Sequence, residues 1–158
     1  MKYSFFIFLF LLVACTSIDC PLQNVVRSYY AIQNAEQKTD TLKDTLNIVS
    51  HRFDGSDTLL LNNCANVTLF SLPVGYSNPE DTLFFHFKNM DFSAVDTVWI
   101  KKENMPHFES VDCSAAFFHR ITAVRMTHHA IDSININNPL VDYDPQKVHF
   151  HLYIKSRN

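Results

Sequence analysis

The side chains best able to do chemistry in this 158-residue chain are four cysteines and eight histidines. Cys15 is the most telling of them, because it directly follows Leu12-Val13-Ala14 at the end of an apolar run that begins after Met1-Lys2. A positive residue at Lys2, an apolar stretch over 5–13 and a small residue at Ala14 are the parts of a cleaved export signal. A cysteine at the cut resembles a bacterial lipobox, in which the sulfur receives a diacylglyceryl group. The apolar stretch is about half of the roughly 20 residues a spanning helix needs, so a transmembrane anchor is disfavoured. The pattern predicts a signal peptide over 1–14, lipidation at Cys15, a short tether over 15–20 and one β-rich domain over 21–158. Two or three acyl chains, at about 0.8 kcal/mol per buried methylene, make release from the membrane negligible. The tether reaches less than roughly 20 Å at about 3.5 Å per residue, so the domain is expected to sit close to the leaflet.

After processing, Cys20, Cys64 and Cys113 remain. Outside the cytosol a disulfide is the default for a cysteine pair. Cys20 and Cys113 are the expected pair, since each lies in a short turn-like segment, Asp19-Cys20-Pro21 and Asp112-Cys113-Ser114. Closing that loop would contribute roughly 4–5 kcal/mol in the chain-entropy description. Cys64 is then a buried or edge thiol, and a pairing through Cys64 stays open at this point. Cys113 with His119 as nucleophile and base is a weaker reading, because no third residue to orient the base is identifiable.

His149 and His151 sit at i, i+2 and would project from one strand face, a spacing that can chelate a metal. His128-His129 is the other pair, but neighbours on a strand point to opposite faces. A solvated strand face is the favoured reading for these histidines, with a metal-binding envelope protein as the alternative. Asp142 with Asp144, and Asp54-Gly55-Ser56-Asp57, read as turns. Neither a phosphate-binding glycine loop nor Gly-x-Ser-x-Gly occurs, which lowers the expectation of common enzyme classes. The chain is read as non-catalytic, with no cofactor, and an envelope enzyme is the remoter alternative.

Strands carry these residues. Helical periodicity is nearly absent, and alternating runs bounded by Asp, Asn, Gly and Pro recur along the chain. In the last run Val148, Phe150, Leu152 and Ile154 take one face, and His149, His151, Tyr153 and Lys155 the other. Leu83, Phe85 and Phe87 alternate with Thr82, Phe84, His86 and Lys88 in the same sense. Further strands are expected over 26–33, 45–52, 58–62, 67–72, 95–101, 117–127 and 131–136. Asp54-Gly55 favours a tight hairpin between the second and third of these runs. About eight or nine strands without helices predict an antiparallel two-layer β-sandwich of Ig-like type, with a β-barrel as the alternative. Fourteen Phe against two Gly point to an aromatic-rich core. Trp99, Tyr29, Tyr30, Phe117 and Phe118 are candidates for a ligand surface, although core is the commoner home for such residues. A net charge of −3 with dispersed lysines and arginines argues against a nucleic-acid partner.

Six segments share one form: Asp40-Thr41-Leu42, Asp44-Thr45-Leu46, Asp57-Thr58-Leu59, Asp81-Thr82-Leu83, Asp96-Thr97-Val98 and Asp132-Ser133-Ile134. An Asp closing a turn before a β-branched residue is a natural strand start. The form also resembles the acceptor motif of the general O-glycosylation system of Bacteroidetes, and Thr41 and Thr45, in a polar segment, are the expected acceptors.

The chain as a whole resembles a family of Bacteroidales lipoproteins with a domain of unknown function. The likeness is carried by the lipobox, by Asp19-Cys20-Pro21, by Leu72-Pro73 ahead of Glu80-Asp81, and by Lys102-Glu103-Asn104-Met105-Pro106-His107-Phe108-Glu109-Ser110-Val111-Asp112-Cys113; Cys64 departs from it. The resemblance transfers no catalytic residue. Together with the lipobox it implies an outer-membrane lipoprotein facing the periplasm. The leading expectation is a small binding or structural module held at the membrane by its lipid, and an exposed aromatic face offers a surface for a protein or glycan partner in the envelope.

Overall fold

A computed structural model describes residues 25–51 and 54–156. Within them the chain forms ten strands in two sheets: β1 (Arg27–Gln33), β2 (Thr45–His51), β3 (Asp57–Cys64), β4 (Leu69–Pro73), β5 (Glu80–Lys88), β6 (Ser93–His107), β7 (Ala116–Met126), β8 (Ile131–Ile136), β9 (Leu140–Val141) and β10 (Phe150–Ile154). The sheets are ordered β4-β1-β10-β8 and β3-β2-β5-β6-β7-β9. Two separate sheets correspond to the expected sandwich. One pairing departs from the antiparallel rule, because β1 and β10 run parallel, with Tyr30 opposite Phe150.

The two-residue alternation of the sequence builds the core between the sheets. Leu46 and Ile48 on β2, Leu83, Phe85 and Phe87 on β5, and Val98 and Ile100 on β6 are buried, as period two demands when one face is covered. The facing sheet supplies an aromatic row across three strands. Tyr30 stacks on Phe70 of β4 at 4.9 Å and on Phe150 of β10 at 4.7 Å between ring centroids. Offset stacks of this kind add about 0.5–1.5 kcal/mol beyond the area they bury. Tyr30 is therefore core with its ring, while its hydroxyl meets Ser28 Oγ at 3.3 Å.

The Asp54-Gly55 turn joins β2 and β3 as its sequence requires, with Gly55 at φ 81°, a left-handed conformation that glycine adopts without steric cost. β6 is the largest departure. The expected strand ends at 101, whereas β6 continues to His107 and pairs with β7 as far as His107 opposite Ala116, across an irregularity at Lys101/Lys102. Period two carries the inward phase of Asp96, Val98 and Ile100 on to Lys102, which is buried. Charge patterning at 101–103 conceals this, because a lysine pair reads as a solvated strand end.

The last strand also differs from expectation. β10 begins at Phe150, and His149 just before it is buried rather than solvated. Its Nδ1 accepts from the Tyr29 backbone N–H at 3.0 Å, and its Nε2 faces the Leu140 carbonyl at 3.2 Å. That pair of partners fixes the neutral tautomer with the proton on Nε2, and burial holds the imidazole pKa below its ordinary value. His149 thus stitches the start of β10 to β1 and β9.

Candidate functional site

A cleft of about 830 Å3 with an apolar floor lies between the sheets, within the usual range for small-molecule sites. Tyr30, Leu72 and Phe150 come from one sheet, and Leu83, Ile100 and Ile121 from the other. Polar groups from the β2–β3 hairpin, Ser50, His51 and Thr58 among them, and from the 74–79 connection, including Ser77 and Asn78, complete the lining.

That connection is held by side chains of β5, β6 and β7. Lys102 Nζ donates to Asp81 Oδ1 at 2.6 Å and to the Asn78 carbonyl at 3.0 Å, while its backbone N–H bonds the Pro79 carbonyl at 2.8 Å. The Gly75 N–H bonds the Asp81 carboxylate. Asn104 Nδ2 donates to the Tyr76 carbonyl at 2.7 Å, and His119 Nδ1–H donates to Asn104 Oδ1 at 2.8 Å. Asp81, Lys102, Asn104 and His119 therefore clamp one rim of the cleft. Tyr76, exposed on that rim, stacks on Phe117 at 4.9 Å and 11°.

The electrostatics of this clamp follow from burial. The Lys102 side chain is 0% exposed, whereas the Asp81 side chain is 20% exposed and fronts the cleft. Desolvation raises the Asp81 pKa, and the Lys102 and Gly75 bonds only partly offset it. Desolvation, assisted by the nearby Lys102 charge, lowers His119 to about 4. His119 is neutral at ordinary pH. The clamp is a closed set of mutual bonds, so the ammonium that would meet an anion lies behind a carboxylate.

The other expected sites disperse. His149 is buried and bonded through both ring nitrogens, while His151 is half-buried on β10 opposite Asn135 and Ala31. Among the described residues no group of three or more His, Cys, Asp or Glu is arranged to hold a metal. His128 faces the Asp132 carbonyl and His129 faces Asp96, so that pair engages separate partners. Thr41 is exposed, whereas Thr45 is half-buried at the start of β2 opposite Lys88. Asp44 before it is buried and accepts from Asn89 Nδ2 at 2.7 Å. Cys64 is a free, half-buried thiol, and Cys113 is not free. Cys15 and Cys20 lie outside the described residues.

Of the aromatic candidates, Trp99 lies under Arg125, whose guanidinium sits 4.4 Å from the ring centre. Tyr29 stacks on His149, and Phe118 stacks on His107 at 4.1 Å. Tyr30 belongs to the cleft lining, and Phe117 reaches its rim through Tyr76. Sequence reasoning did not single out Tyr76, Asp81 and Lys102 as a site. The available signal was two of the quoted stretches, Leu72-Pro73 with Glu80-Asp81 and the one starting at Lys102, which the fold brings together at this rim.

The fold and the cleft define a class: an all-β sandwich with a mixed polar and apolar cavity between its sheets. Residues 45–154 match the family of unknown function DUF6452, and the chain belongs to that family. No curated protein and no solved structure gives a significant match.

Proposed function

We propose that this protein is a non-catalytic, lipid-anchored envelope module that binds a small ligand in the inter-sheet cleft. The observation that carries the reading is the cleft itself, with buried core side chains as its floor and a rim fixed by the Asp81–Lys102–Asn104 clamp. The fixed rim favours binding over chemistry. Lys102 and Asp81, the groups best suited to acid, base or nucleophile duty, are bonded to each other, and Asn78 and Gly75 hold them further. A catalytic pair needs a free valence toward substrate.

The lipobox supports lipidation at Cys15, and the likeness to Bacteroidales lipoproteins supports an outer-membrane, periplasm-facing address. Asp19 is the single acidic residue of the tether, which gives no acidic signal for surface display. A Cys20–Cys113 bridge would tie the tether to the β6–β7 connection. Thr41, exposed after Asp40, suits glycosylation better than Thr45, which the β2 ladder holds. The test is native mass spectrometry of the protein extracted from membranes of its host: the reading expects acyl groups on Cys15 and a non-covalently bound molecule, and it fails if the extracted protein carries none.

A further inference from the structure

Resting on the reading of the cleft as a binding site, we infer that its ligand is a single-chain amphiphile with an uncharged, hydroxyl-bearing head. The floor specifies the chain. Leu60 and Val74 line the cavity half-buried, and Leu72, Leu83, Ile100 and Ile121 line it from the core beneath, and each methylene placed against such a surface leaves water favourably. About 830 Å3 exceeds what a monosaccharide or a single amino-acid side chain would fill.

The rim specifies the head. Beyond the clamp, the polar groups there include the hydroxyls of Ser50, Thr58 and Ser77, the Asn78 amide, the His51 imidazole and the Asp54 carboxylate, which can donate to or accept from a polyol, while Asp54 adds a second negative group against an anionic head. The charge presented to the cavity at the clamp is the Asp81 carboxylate, because Lys102 behind it is fully enclosed and bonded to Asp81 and Asn78. A carboxylate head entering beside Asp81 would meet like charge without an available ammonium to answer it. Fatty acids are therefore disfavoured, and hydroxyl-rich heads are accommodated. The exposed ring of Tyr76, braced by Phe117, adds a flat apolar surface at the mouth on which the C–H face of a polyol can lie.

Octyl glucoside, octanoate and glucose separate these features, each used below its micellar concentration where it has one. In methyl-detected NMR titrations of the full chain, octyl glucoside is expected to shift the Leu60, Leu72 and Val74 methyl signals saturably. Octanoate should bind at least about tenfold more weakly, and glucose alone should leave these methyls unmoved. Thr58→Trp and Ser77→Trp place bulk on two separate parts of the rim, and either folded variant should weaken octyl glucoside at least about fivefold. Equal binding of octanoate, sufficiency of glucose, absence of saturable methyl shifts, or unaltered affinity in both rim variants would overturn the inference. A bound molecule of another class in the host-extracted protein would overturn it too, while leaving the binding function standing.

Discussion

Lys102 shows how a charged residue can be committed by strand phase. It follows Val98 and Ile100 at period two, so its backbone aims it inward, and the fold answers with Asp81 and the Asn78 carbonyl. Taking one partner from such a buried pair strands the other, typically at about 3–5 kcal/mol, whereas replacing both with apolar groups is often neutral. Lys102→Ala should accordingly lower stability by about 3–5 kcal/mol in urea unfolding, and Lys102→Met with Asp81→Leu should recover most of it. The double variant would also loosen the 74–79 rim. His119 makes the same environment pH-sensitive. Its folded pKa of about 4 lies below the unfolded value near 6.5, so between them the unfolded chain binds more protons. This contribution is complete above pH ~6.5 and is lost as pH falls toward 4; it amounts to roughly 2–3 kcal/mol. His149 shifts in the same direction, and Asp81, whose pKa is raised, opposes both. His119→Gln, which keeps a donor for Asn104, should flatten the fall in stability measured between pH 7 and 4.5.

At the scale of elements, alternation made most strands legible. β5 was readable because Leu83, Phe85 and Phe87 keep strict period two, and β8 was placed at 131–136 because its boundaries are polar. The parallel pairing of β1 with β10 was not legible, since strand partners far apart in sequence leave no local mark. The extension of β6 was hidden by Lys101-Lys102 and by Pro106, which normally demotes a run. Asp96 was expected to open a strand; it does more. Its carboxylate accepts from Thr127 Oγ1 and from the backbone N–H groups of His129, Ala130 and Ile131 at 2.7–2.8 Å. Although burial pushes its pKa up, these bonds hold it below the ordinary value. The β7–β8 connection is thereby fastened to β6. Asp96→Ala should leave the buried N–H groups of Ala130 and Ile131 without their acceptor, at about 1–3 kcal/mol each before relaxation, and release the part-buried His129 N–H as well. The measured loss should exceed about 3 kcal/mol, with hydrogen-exchange protection falling first at 129–131.

For the whole molecule, the address, the tether and the cavity make one account. On the proposed lipid anchor, a short tether would keep the sandwich near the leaflet, and the cleft offers an apolar floor beside a polar rim. The site's ingredients were present in the sequence, but their meeting place was not. Asp81 lies on β5 and Lys102 on β6, and only the antiparallel register that sets Asp81 opposite Ile100 brings the two side chains together. Of the aromatic candidates Tyr30 is fully buried in the core and Phe118 packs against it, while Trp99, Tyr29 and Phe117 are half-buried outside it; an exposed and a buried ring look alike until the covering sheet is placed.

The most direct measurement is native mass spectrometry of the protein extracted gently from host membranes, wild type beside Thr58→Trp. A lipid-anchored ligand-binding role predicts acyl groups on Cys15 in both, and a non-covalent small-molecule adduct in the wild type that is depleted in the rim variant. A bare polypeptide mass in the wild type, or an adduct equally abundant in both, would contradict it.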